Sequence, residues 1–118
     1  MIRLDGARLA PREIAAVARE GAQVELSSGA RERNLRARGA IAARLESGLP
    51  LYGASTGVGA LRDRQVAAED RAQFQWNLLR SHAVSAGRPL SRELVRAGMT
   101  VRANQLGAGG AGILPELL

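Results

Sequence analysis

The sequence predicts a mainly α chain with a small N-terminal β-hairpin or turn and one glycine-rich loop held between helices. Three observations carry this expectation. Apolar or small residues recur at spacings of three and four in four separate stretches. Residues that start and stop helices bracket those stretches. Between the second and third lies a loop, about residues 50–65, that holds the chain's single tyrosine among three glycines and two hydroxyl residues.

Taken in order, Ile2 and Leu4 alternate with polar residues before Asp5-Gly6, a strong turn signal, and Leu9 follows on the far side. This reads as a small hairpin or turn. Pro11 suits a first helical position. Ile14, Val17 and Ala18 form the stripe of a short helix to about Glu20, which Gly21 stops. Val24-Glu25-Leu26 is a short extended piece. Ser27 or Ser28 caps the next helix, and Ala37, Ile41 and Leu45 mark its buried face. Gly48-Leu49-Pro50 ends that helix and opens the loop.

After the loop, Ala67 to about Ala86 reads as the longest helix, with Glu69 and Asp70 in its first turn, where the helix dipole favours acids. Phe74, Leu78 and His82 follow one another at spacing four, and Gly87 and Pro89 are the stop signals. Ser91 caps a further helix with Leu94, Gly98, Val101 and Gln105 on one face. The tail contains a literal G-x-G-x-x-G from Gly107 to Gly112. A dinucleotide site needs a strand before this motif and a helix after it. Here a helix precedes it and Ile113-Leu114-Pro115 follows, so it reads as a tight connection.

The totals narrow the function classes. At 118 residues the chain reads as one domain, 1–118, able to bury roughly two-thirds of its unfolded surface if it folds alone. Aromatic residues make up 3% and glycines number 14, so the core must come from Leu, Val, Ile and Ala, and a partner would help to stabilise it. With no cysteine there are no disulfides or thiolate metal sites, which accords with a cytoplasmic protein. No apolar run reaches membrane-spanning length, so no membrane association is expected. The formal charge of +6 is carried entirely by arginine, but the arginines interleave with Glu and Asp and lack an aromatic platform for stacking bases. A solvated helix face explains them better than nucleic-acid binding. One histidine without cysteine supplies no metal-ligand cluster.

The loop Pro50-Leu51-Tyr52-Gly53-Ala54-Ser55-Thr56-Gly57-Val58-Gly59-Ala60-Leu61 carries the sharpest signal. On composition alone it is a helix-to-helix connection with one tyrosine. A single ionisable ring on a glycine-hinged loop is equally what a catalytic lid looks like. The pattern Tyr-Gly-x-(Ser/Thr/Asn)-Thr-Gly-x-Gly resembles the lid of the aromatic amino acid ammonia-lyases and aminomutases. That resemblance continues through Asn77-Leu78-Leu79-Arg80-Ser81-His82-Ala83 and Arg102-Ala103-Asn104-Gln105-Leu106. It implies the N-terminal part of the lyase helical scaffold.

The resemblance also implies roles. Tyr52 would be the catalytic base, within a lid that includes Gly53, Ser55, Thr56 and Gly57. His82 and Gly59 would bind substrate, His82 at the ring end of a polar-ringed amino acid such as tyrosine or histidine. Val58 stands where the family prefers an aromatic residue. Backbone amides near Gly53, Gly57 and Gly59, or the hydroxyls of Ser55 and Thr56, could reach Tyr52 or the substrate. Without the family, His82 on an apolar stripe reads as a core residue, and Asn104 reads as structural in either case. Ser81 neighbours His82, but adjacent helical residues do not face each other, so no Ser/His/Asp triad is expected.

The family's electrophile is a methylidene-imidazolone group formed from Ala-Ser-Gly. No Ala-Ser-Gly occurs here, and the nearest sequence is Ala54-Ser55-Thr56 inside the lid. The expectation is therefore a small subunit or N-terminal fragment of an aromatic amino acid ammonia-lyase or 2,3-aminomutase, inactive alone. A larger subunit carrying Ala-Ser-Gly would supply the electrophile in a hetero-oligomer. The alternative is a non-catalytic interaction module on the same scaffold that modulates assembly of a full-length lyase.

Overall fold

In the computed structural model, which describes residues 1–118, the chain is mainly helical. Two short strands, β1 (Ile2–Leu4) and β2 (Val24–Leu26), accompany helices α1 (Pro11–Ala15), α2 (Ser28–Glu46), α3 (Arg71–His82) and α4 (Arg92–Gly107). The chain read above as one domain divides into two compact units: Met1–Ile41 with Pro89–Leu118, and Ala42–Arg88. No helix is long and apolar enough to cross a membrane.

In the first unit the strands do not form a hairpin. β1 pairs with β2 in parallel, with Ile2 opposite Val24 and Leu4 opposite Leu26. Parallel strands need a crossover of a dozen or more residues, and α1 supplies it. The cause lies far along the sequence. Asp5 and Gly6 donate their amides to the side-chain oxygen of Asn104 at 3.1 and 3.0 Å, and Asn104 donates to the Ala7 carbonyl at 2.6 Å. The turn signal at Asp5-Gly6 is real, but this buried carboxamide on α4 captures its backbone and steers the chain into α1.

Pro11 opens α1 as its spacing predicts, and the Glu13 carboxylate accepts the Ala10 amide at 2.7 Å. The helix widens to a π turn over Ala16–Glu20 before Gly21 closes it. The Ala22 amide then reaches the Ala16 carbonyl, and Arg96 supplies Val17 with two hydrogen bonds, at 3.0 and 2.9 Å. Ser27 caps the start of α2 by accepting the Ala30 amide at 3.1 Å. Asn34, fully buried, donates to the Ala30 and Leu106 carbonyls. Leu4, Val17 and Ala30 form the buried hydrophobic core of the chain.

Two helix expectations change. The longest helix is α2, at 19 residues, and α3 covers 12. A 3₁₀ turn, Ala68–Asp70, leads into α3, which ends at His82 rather than near Ala86. Residues 82–90 are all exposed, so no burial rewards further turns, and helices this size draw most of their stability from packing.

Removing the Asn104 clasp should loosen the first unit. Asn104→Ala leaves two amides and one carbonyl without their partner, which costs about 2 kcal/mol. Urea denaturation followed by far-UV circular dichroism should show a lower midpoint with the helical spectrum retained. An unchanged midpoint would mean that water replaces the carboxamide without loss.

Candidate active site: the lid loop and the end of α3

The second unit holds the residues singled out by the lid motif. The loop is built on one carbonyl. Leu51 accepts the amides of Ala54, Ser55 and Thr56 at 3.1, 2.9 and 3.3 Å, and its own amide donates to Ser55 Oγ at 2.9 Å. Thr56 then forms an isolated antiparallel bridge with Gln65, flanked by bonds from the Gly57 amide to the Arg64 carbonyl and from the Val66 amide to the Ser55 carbonyl. The loop therefore closes on itself between residues 51 and 66.

Ser55, Thr56 and Gly57 are buried in this closure. Both hydroxyls serve the loop backbone: Ser55 Oγ takes the Leu51 amide, and Thr56 Oγ1 donates to the Gly57 carbonyl at 3.1 Å. In this structure both hydroxyls bond to the loop backbone and neither reaches Tyr52. Gly57 permits its tightest approach, since a Cβ there would stand 2.5 Å from the Leu61 carbonyl oxygen. On α3, Gln75 donates to the Gly53 carbonyl at 2.7 Å and ties the loop to the helix.

This closure leaves Tyr52 outside it, 65% exposed. Its phenolic oxygen accepts the Gly59 amide at 3.1 Å. Gly59 adopts a φ of 58°, a conformation that side-chain-bearing residues seldom take. Of the three amides considered from sequence, the Gly59 amide is the one that meets Tyr52.

Tyr52, Val58, Gly59, Leu78, Leu79 and His82 line one open cleft of about 520 Å³. Lid and helix thus bring the tyrosine and the histidine together. His82 is an exposed cleft residue rather than part of a core. Its Nδ1 lies 2.9 Å from the Leu78 carbonyl oxygen and 3.0 Å from Ser81 Oγ. The expectation that Ser81 and His82 would not meet is corrected here. Both lie in the last turn of α3 and converge on the same carbonyl. Asn104 plays the structural part assigned to it, in the first unit.

Gln75 escaped the sequence reading, and the contact of Ser81 with His82 was not expected. Gln75 stands on the same helical face as Leu78, Leu79 and His82, at spacings of three, four and seven, so the period of the helix carried that signal. Ser81 bonds back to the Leu78 carbonyl three residues before it, a local contact that helical spacing allows.

No group of three His, Cys, Asp or Glu side chains is gathered where it could hold a metal ion. The residues nearest to an Ala-Ser-Gly electrophile do not fit one. Thr56 stands where glycine is required, and Ser55 is buried with its amide and hydroxyl both bound to Leu51. The arrangement offers instead a phenol oxygen and an imidazole beside apolar walls.

The pattern describing the aromatic amino acid lyases matches residues 9–118, and the chain belongs to that family. Among curated relatives, the histidine ammonia-lyase of Streptomyces griseus is 45% identical over 105 residues, which is 89% of this chain and 20% of that protein. Ergothionase from Treponema denticola, an ergothioneine-degrading enzyme, superposes with a TM-score of 0.93 at 33% identity, over 98% of this chain and 23% of that one. Tyrosine aminomutase from Streptomyces globisporus superposes with a TM-score of 0.92 at 28% identity, covering 99% of this chain and 22% of that one. The chain therefore spans about a fifth of the length of the relatives it matches, and it has the fold of their N-terminal part.

The loop closure is testable without any activity. Ser55→Ala removes the acceptor for the Leu51 amide, a bond worth about 1 kcal/mol, so exchange of that amide should accelerate roughly fivefold. Hydrogen-exchange NMR reads this directly. Unchanged protection at Leu51 would show that the loop does not depend on the hydroxyl.

Proposed function

We propose that this chain supplies the proton-transfer and ring-recognition groups of an aromatic amino acid ammonia-lyase or 2,3-aminomutase, as a small subunit or as the N-terminal portion of a longer protein. The observation that supports the reading is that Tyr52 and His82 line one cleft, with the Gly59 amide donating to the phenolic oxygen.

Loss of ammonia from an amino acid requires removal of an unacidic proton from the carbon next to the one bearing the amine. Tyr52 is placed to take it. A neutral phenol is a poor base, and the Gly59 N–H is the polar group that this chain brings to its oxygen. Val58, Leu78 and Leu79 offer apolar walls for an aromatic ring, and His82 offers a polar atom to a ring that carries one. Histidine and tyrosine, the amino acids in the names of the relatives, both have such rings. The electrophile that activates the amine, a methylidene-imidazolone group, has to come from polypeptide outside these 118 residues, because no Ala-Ser-Gly lies within them.

Two outcomes test this. The chain alone should not release ammonia. Mixed with a lyase of this family lacking the matching N-terminal residues, it should restore turnover. In that complex Tyr52→Phe should reduce kcat by about 10² to 10⁴-fold with assembly intact. Near-normal turnover by the assembled variant would exclude Tyr52 as the base and favour an interaction module.

In the same complex His82→Phe should lower kcat/KM for tyrosine and histidine and raise it for phenylalanine. A buried polar partner penalises ligands that cannot pair with it, by up to about 10⁴ to 10⁵-fold in the best-built sites and by less for a single residue. Equal loss for all three amino acids would show that His82 acts through stability alone.

A further inference from the structure

We propose that Ser81 is a positioning residue that fixes the tautomer of His82, so that the imidazole meets the cleft as a hydrogen-bond acceptor and selects a ring that carries a donor. This rests on the reading of His82 as the ring-recognition group.

Three atoms form a closed triangle at the end of α3. Ser81 Oγ is 2.8 Å from the Leu78 carbonyl oxygen, His82 Nδ1 is 2.9 Å from the same oxygen, and Ser81 Oγ is 3.0 Å from His82 Nδ1. A carbonyl oxygen only accepts. The serine has one hydroxyl proton, and the imidazole nitrogen can donate or accept, but not both. If Nδ1 carried a lone pair, it would face the carbonyl lone pairs at 2.9 Å, and Ser81 could satisfy only one of them. If Nδ1 carries the proton, every contact is attractive. The hydroxyl donates to Leu78, and Nδ1–H is shared between the Leu78 carbonyl and the Ser81 oxygen. That assignment leaves Nε2 of the neutral ring with its lone pair.

The triangle follows from helical spacing. A serine within a helix can bond back to a carbonyl three or four residues before it. Ser81 lies three residues after Leu78 and His82 four, and both side chains reach the Leu78 oxygen. The consequence is chemical. An acceptor at Nε2 pairs with a phenol hydroxyl or an imidazole N–H, and it has nothing to offer a ring whose far end is C–H or an ether oxygen.

His82 is the only histidine in the chain, so its two ring nitrogens can be read without ambiguity in a ¹⁵N-labelled sample. Long-range ¹H–¹⁵N correlation on the chain, at a pH where the ring is neutral, should show the proton on Nδ1 and a bare Nε2. Ser81→Ala removes one of the two acceptors and should lower the ratio of the Nδ1–H to the Nε2–H form about fivefold, whereas Ser81→Thr, which keeps the hydroxyl, should restore it. A wild-type ring protonated at Nε2, or a ratio that Ser81→Ala leaves unchanged in a helical chain, would overturn the proposal. The restored complex gives a second readout: Ser81→Ala should narrow the kcat/KM preference for tyrosine over phenylalanine. An unaltered preference would also overturn it. The NMR result stands apart from the lyase reading, since it needs neither partner nor substrate. Failure of complementation would remove that reading while leaving the tautomer in place.

Discussion

A backbone polar group withdrawn from water must find a partner, and in this chain the partner is repeatedly a side chain reaching across from another segment. Large buried hydrophobics are few: Leu4 and Val17 are accompanied only by Ala30. The carboxamide of Asn104 takes three backbone groups of residues 5–7, Arg96 takes the Val17 carbonyl, and Asn34 takes those of Ala30 and Leu106. In the second unit Ser55 holds Leu51, Gln75 holds Gly53, and Ser81 and His82 hold Leu78. Each such bond nets only about 1 kcal/mol, but where the partner is buried, as at Asn34 and Asn104, leaving it unpaired costs more than the bond gains, and so these clasps define the first unit.

The same constraint shapes the site. The lid closes because the Leu51 carbonyl gathers three amides, and closing it turns the Ser55 and Thr56 hydroxyls inward. What remains outside is the Tyr52 ring with the Gly59 amide on its oxygen. At the end of α3 a captured carbonyl orients the imidazole. Both candidate groups are thus held by backbone atoms of their own unit. The chain, which spans about a fifth of its relatives, holds both candidate groups in one cleft.

Much of this was legible, and what was legible is local. Pro11 starts α1, Gly21 ends the turn that follows, Ser27 caps α2, and Ser91 caps α4 through the Leu94 amide at 3.3 Å, all from signals within a few residues. The lid motif marked Tyr52, and the helical period placed His82 beside Leu78. The features that escaped are set at a distance. The parallel pairing of β1 and β2 depends on a side chain near the other end of the sequence, which no turn rule at Asp5-Gly6 can register. The early end of α3 reflects the lack of burial after His82. Gln75 becomes a tether only once the loop has closed over it.

The claim that most of this serves is that Tyr52 stands where it can take a proton from an aromatic amino acid whose ring lies against His82. A structure of the chain assembled with a complementing lyase polypeptide and an unreactive amino acid analogue tests it most directly. The account predicts Tyr52 Oη about 3–3.5 Å from the carbon that loses its proton, the Gly59 amide still on that oxygen, and the polar atom of the ring bonded to His82 Nε2. A ligand bound with its ring away from His82, or with another side chain nearer to that carbon than Tyr52, would contradict it.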